Sequence, residues 1–180
     1  MRLGTVTRVT SLDARADAFA RLIEADLLRY YAIAAAMLGD AVDAQDAVHD
    51  ATVSAWQRFG DLRDHDRFGA WFDRILVNAC RDRLRHRRRH PVVDIAGQVD
   101  GALPSSSDPA GAVANADAVE RALRTLDADH IAVVVLRYEG DLTVPAIAER
   151  LGIAEGTVKS RLHHARRRMR AAVGEPEDGR

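Results

Sequence analysis

The sequence predicts an all-α protein built as two small helical domains joined by a flexible linker. Three observations carry this expectation. Apolar residues recur at spacings of three and four through both halves of the chain, the period of one buried helix face. Aromatic residues make up only 5% while Ala, Leu and Arg abound, which leans toward helix. Between Arg85 and Ala116, "RHRRRHPVVDIAGQVDGALPSSSDPAGAVANA" brings Pro91, Pro104, Pro109 and a serine triplet, with no sustained helical period. A length of 180 residues fits one core or two small ones, so this break is what divides the chain.

Residues 1–18 read as an N-terminal extension. "MRLGTVTRVTSLDARADAF" holds no apolar run of signal-peptide length, and nowhere do 18 apolar residues follow one another, so a cytoplasmic chain without membrane insertion is expected. The first helix carries Phe19, Leu22, Ile23, Leu27, Tyr30 and Tyr31, and Gly39 is placed to end it. A second helix runs from about Ala41 to Arg58, with Val42, Ala47, Val48, Ala51, Ala55 and Trp56 inward. Its outer face bears Asp43, Asp46 and Asp50, three and four residues apart and therefore in one stripe. Gly60 to Asp66, "GDLRDHD", is a loop rich in capping residues. A third helix follows from about Arg67 into the arginine cluster, with Phe68, Trp71, Phe72, Ile75, Leu76, Ala79 and Leu84 as its apolar set. The periodicity of Trp56, Phe68, Trp71 and Phe72 favours a place in the core over stacking on bases.

The linker is assigned to 91–115, and fully extended those 25 residues reach at most ~80 to 90 Å. Beyond it, Val119, Ala122, Leu123 and Leu126 mark one helix, and His130 to Tyr138 a more apolar one stopped by Gly140. Thr143 is a candidate N-cap, with Pro145 in the first turn, where proline is tolerated. Val144, Ile147, Ala148 and Leu151 form a stripe, Gly152 breaks the helix, and the next begins at about Ala154.

The formal net charge of -1 is a sum of unlike blocks. Asp40 to Asp66 holds seven Asp against Arg58 and Arg63; Arg67 to His90 holds eight Arg against Asp73 and Asp82; Glu155 to Arg170 sets one acid against six bases. Such segregation points to an acidic surface for a protein partner and two surfaces for a polyanion; solvated helix faces account for one such block more easily than for three. "VPAIAERLGIAEGTVKSRL" has two short helices around a glycine turn, the pattern of a helix-turn-helix. On a helical wheel Val158, Leu162, Ala165 and Met169 share the core face. Gly156, Thr157, Lys159, Ser160 and His163 are then the candidates for base or near-base contact, with His164 on one flank. Arg161, Arg166, Arg167 and Arg168 suit phosphates. Glu155 either accepts from a cytosine amino group or favours the helix dipole.

Catalytic signatures are missing. Seven His and many Asp raise a metal-dependent hydrolase, but no HExxH, paired-carboxylate or nucleophile motif accompanies them, so neither an enzyme nor a metal or other cofactor is expected. Cys80, the single cysteine, reads as a buried structural thiol.

Taken in order, "DAQDAVHDATVSAWQRF", "RFGAWFDRILVNACRDRLRHRRR" and "LTVPAIAERLGIAEGTVKSRLHHARRRMR" resemble the sigma-70 family of RNA polymerase sigma factors, in its extracytoplasmic-function (ECF) group. The resemblance implies region 2 over 19–90, the linker over 91–115, region 4 over 116–172 and a tail over 173–180. It implies as partners RNA polymerase core, through the beta-prime clamp helices and beta flap, and promoter DNA. By this resemblance Asp43, Asp46 and Asp50 meet the clamp helices. Asp61, Leu62 and Arg63, in the loop that holds a flipped non-template base, serve the minus-10 element together with Arg74, Asn78, Arg81 and Arg85. Gly156, Thr157, Lys159, Ser160, Arg161, His163, His164 and Arg167 match the minus-35 reader. An anti-sigma factor is the implied regulator, and the short tail after Ala172 favours a separate partner over a large C-terminal sensory domain. Gln45 and His49 make the second helix less acidic than is usual in the group. The other reading, a stand-alone helix-turn-helix regulator, leaves the first domain without a purpose.

Overall fold

The computed structural model describes residues 4–89, 118–119 and 121–173. Among these every regular element is a helix, and none is long and apolar enough to cross a membrane. The linker expected over 91–115 lies outside them. The helices are α1 (Gly4–Glu24), α2 (Leu27–Leu38), α3 (Ala41–Arg58), α4 (Phe68–Arg89), α5 (Ala128–Tyr138), α6 (Val144–Leu151) and α7 (Glu155–Val173), with short 3-10 turns at Phe59–Asp61 and His65–Arg67. Residues 118–119 and 121–124 are also helical and lead toward α5.

Two expectations for the first half are corrected. The single helix expected through Phe19 and Tyr31 is divided at Ala25 and Asp26. There the Asp26 N–H turns to the Ile23 carbonyl at 3.3 Å, and the Tyr30 N–H takes the Asp26 carbonyl at 3.0 Å to start α2. The apolar spacing continues across this break, so periodicity could not reveal it. Val42, expected inward, is 63% exposed. The buried stripe of α3 is Ala44, Ala47, Val48, Ala51 and Ala55, and two residues of helix rotation, about 200°, carry Val42 to the other side of Ala44.

Local signals set the boundaries. Gly39 ends α2 in the left-handed region at φ 67°, donating its N–H to Ala35 O at 2.8 Å. Asp40 then caps α3 by accepting from the Asp43 N–H at 2.8 Å. Phe19 meets Trp56, Phe59 and Phe68 edge-on at 5.3, 5.1 and 5.8 Å, and Tyr30 lies 4.4 Å from Phe72. The aromatic residues thus bind α1, α2, α3 and α4 into one bundle.

In the second half Asp127 caps α5 and Thr143 caps α6, the latter accepting from the Ala146 N–H at 3.4 Å. α6 closes in a Schellman motif. Gly152 sits at φ 64°, its N–H donates to Glu149 O at 3.3 Å, and the Ile153 N–H donates to Ala148 O at 3.1 Å. Val158, Leu162 and Ala165 of α7 are buried as the wheel requires, with Met169 packed beside them.

α5 links the halves. Ile131 through Leu136 are all buried, six consecutive positions and hence every side of the helix. α6 and α7 pack on it from its own half and α2 and α4 from the other, so the buried residues of both halves form one continuous apolar cluster.

Candidate nucleic-acid interface

α7 presents the surface that its sequence predicts. Gly156, Lys159, Ser160, His163, His164 and Arg167 are exposed and Thr157 is half-buried. A side chain added at Gly156 would meet nothing within 4 Å, so the backbone there is open to a close approach. Lys159 lies 3.9 Å from Glu155, one turn back, a loose pair at the helix N-terminus. Arg166 donates to the Tyr138 hydroxyl at 3.0 Å. Arg161 departs from this outward face: it donates to Asp129 Oδ2 at 3.2 Å.

On α4, Arg74, Asn78, Arg81 and Arg85 follow one another at spacings of four, three and four and share a face. Arg74 and Asn78 are exposed, and Asn78 accepts from Arg81 at 3.4 Å. Arg81 and Arg85 both reach Asp129 of α5, the second at 3.2 Å. Arg74 lies against the turn between α6 and α7, where a Cβ at Gly152 would stand 3.7 Å from its guanidinium. In the preceding loop Asp61 and Arg63 are exposed, while Leu62 packs against the core. Arg67 pairs with Glu149 of α6.

The acidic stripe of α3 is divided. Asp43 pairs with Arg87 and stands 4.0 Å from Arg83, and Asp50 pairs with Arg83. Asp46 is exposed and has no ion-pair partner among the described residues.

Two carboxylates that the sequence did not single out organise these surfaces. Asp73 on α4 is the one charged side chain buried among the described residues, at 0% exposure. Arg29 of α2 grips it with two hydrogen bonds of 2.8 and 3.2 Å, and Arg150 of α6 adds a third at 2.6 Å. Burial works against the charge of Arg29, but the hydrogen bond and charge of Asp73 outweigh it and hold the guanidinium pKa above its usual value. Burial, reinforced by Asp73, also pushes the Tyr30 phenol up to about 12. Asp129 is the second, gathering Arg81, Arg85 and Arg161. Nothing in the sequence separates either residue from a solvated acid, since their partners come from other helices.

Cys80 is buried, and burial pushes its thiol up to about 12, so little thiolate forms near neutral pH. Among the described residues no group of three or more His, Cys, Asp or Glu is placed to hold a metal ion. The surfaces that remain, basic and exposed on α4 and α7, are suited to binding an anionic polymer.

Comparison with known proteins gives this arrangement a family. The family model described as sigma-70 region 2 matches residues 12–90, and that described as sigma-70, region 4 matches residues 116–169. The ECF RNA polymerase sigma factor SigM of Mycobacterium tuberculosis is 39% identical over 132 residues, covering 73% of this chain and 65% of that protein, so the match spans just under two thirds of its length. SigL of the same organism, also an ECF RNA polymerase sigma factor, is 36% identical over 142 residues, covering 77% of this chain and 79% of that protein. Among solved structures, the sigma factor RpoE of Bartonella quintana, in complex with the anti-sigma factor NepR, superposes with a TM-score of 0.68 at 23% identity. That likeness of fold covers 89% of this chain and 98% of that one. Two region models in the right order and relatives of this identity place the chain in the sigma-70 family, among its extracytoplasmic-function sigma factors.

Proposed function

We propose that this chain docks on RNA polymerase core and directs it to promoters, with region 2 over 19–90 serving core and the minus-10 element and region 4 over 116–172 reading minus-35. The observation that carries the reading is the exposed basic face of α7, set by the Schellman turn behind α6, in the same chain as an acidic and basic helical bundle. Gly156, Thr157, Lys159, Ser160 and His163 are read as facing bases, with His164 on their flank, and Arg161, Arg166, Arg167 and Arg168 as phosphate contacts. On α4, Arg74, Asn78, Arg81 and Arg85 are assigned to the minus-10 strand, with Asp61, Leu62 and Arg63 of the preceding loop for a flipped base. Asp43, Asp46 and Asp50 are assigned to the clamp helices of the beta-prime subunit, and the beta flap is the expected partner of region 4. The role is one of binding without catalysis, in the cytoplasm and without a cofactor. Residues 1–18 are an extension, 91–115 a linker and 173–180 a tail. An anti-sigma protein is the expected regulator, the class of partner that holds the solved relative RpoE. A stand-alone regulator would leave the region 2 match over 12–90 without a purpose.

Run-off transcription with core polymerase and genomic fragments tests the proposal. Discrete transcripts that need both the chain and core are expected, whereas transcripts no different from those of core alone would overturn it.

A further inference from the structure

We infer that Asp129 is an internal stand-in for a DNA phosphate, closing the free chain on itself so that Arg81 and Arg85 of the α4 surface are occupied until the halves part, while Arg161 of α7 is held by the same carboxylate from within its own half. The inference rests on the assignment of α4 and α7 to DNA, and goes beyond it. Three guanidinium groups from two halves converge on this one carboxylate. Arg81 and Arg85 reach Oδ1 from α4, and Arg161 reaches Oδ2 from α7 at 3.2 Å. All three are residues assigned to DNA, and a guanidinium donates its N–H groups to a carboxylate oxygen as it does to a phosphate oxygen. Asp129 is not needed to cap α5, because Asp127 accepts from the Asp129 and His130 N–H groups, both at 3.0 Å.

The same closure is tied a second time and is built to reopen. Arg150 of α6 donates to buried Asp73 at 2.6 Å, across the boundary between the halves. When Arg150 leaves, Asp73 keeps both hydrogen bonds from Arg29, which belongs to its own half, so parting strands no unpaired buried charge. Arg67 of the loop before α4 makes a third tie, to Glu149 of α6. Apolar burial works in the same direction, since α5 owes part of its cover to α2 and α4. A surface that binds the halves at separate places would shift the chain toward the open form by its differential affinity. DNA alone must first displace Asp129 from the arginines, and the apparent affinity falls in proportion to the closed fraction.

The test uses the full chain without polymerase, a fluorescein-labelled DNA duplex of mixed sequence, and small-angle X-ray scattering. Arg150→Ala removes a cation, which by charge alone weakens DNA binding. If closure is real it instead tightens binding by about fivefold to tenfold, as expected when a form closed about ten to one is released, and the radius of gyration rises. Asp129→Asn is expected to do the same and to exceed Glu139→Gln, which removes the same charge from an exposed site in the second half. Unchanged or weaker binding with an unchanged radius for Arg150→Ala would overturn the inference, as would Asp129→Asn no different from Glu139→Gln. Scattering from the unaltered chain is a readout that no misfolded variant can obscure, and well-separated halves there would overturn it too. Failure of run-off transcription by the unaltered chain would count against the promoter role alone, because compactness and mixed-duplex binding do not depend on that assay.

Discussion

Three aspartates, Asp73, Asp127 and Asp129, show how one side chain takes different roles from its surroundings. Asp127 accepts from the backbone N–H groups of Asp129 and His130 at 3.0 Å and lies 2.8 Å from the His130 ring. Partial burial pushes its carboxyl pKa upward, but these hydrogen bonds and the nearby imidazole outweigh it and hold the group below the usual carboxylate range. A lowered folded pKa means that the stabilisation is complete above the unfolded value of about 3.9 and is lost as pH falls through the folded one. Asp127→Ala is therefore expected to cost about 1 kcal/mol near pH 7, the usual worth of an N-cap, and progressively less below pH 4. Urea unfolding of both proteins at pH 7 and at pH 3 checks this. A gap that stays the same at the two pH values would mean that the carboxylate charge plays no part in the cap.

Elements were legible wherever their signals are local. α3 runs from Ala41 to Arg58 as its sequence predicts, and Thr143 and Gly152 bound α6, because caps and left-handed turns act within a few residues. The break at Asp26 was hidden because the apolar spacing continues across it. The pairings of Asp73 and Asp129 were hidden because their partners lie far off in sequence, Arg150 at 77 residues and Arg81 at 48. The exposed face of α7 was legible from its wheel, while the turn of Arg161 toward Asp129 was not. For α3 the difference alters an experiment. Removing Asp43, Asp46 and Asp50 together would release Arg83 and Arg87 as well as any polymerase contact, since Asp43 and Asp50 hold those arginines. Asp46→Ala, at an exposed position without such a pair, is the cleaner probe. It is expected to weaken association with core about threefold to tenfold, the range for one charged contact at an interface, with thermal stability changed by less than ~0.5 kcal/mol. Competition for core against a second sigma factor measures it, and undiminished competition would remove Asp46 from the docking surface.

At the scale of the whole molecule, a net charge of -1 coexists with two strongly basic helices, so long-range attraction to DNA is small even though local attraction is not. Closure adds a second restraint with a distinct signature. DNA binding releases counterions in proportion to the phosphates neutralised, with a slope of about -0.9 in log K against log salt for each contact to duplex DNA. In the closed form Arg81 and Arg85 are satisfied by Asp129 from across the boundary, as Arg161 is from within its own half, and all three release nothing. Asp129→Asn returns three guanidinium groups to the surface, and its salt dependence is expected to steepen by about 2 to 3 relative to the unaltered chain. A general gain of positive charge would raise affinity with a change of slope near or below one, because a single added unit of net charge supplies no new guanidinium contact. Titrations of the same duplex from about 50 to 200 mM salt separate the two causes. Parallel lines for the two proteins would mean that the arginines around Asp129 do not meet phosphates in the free chain, and the closed form would then owe nothing to competition with DNA.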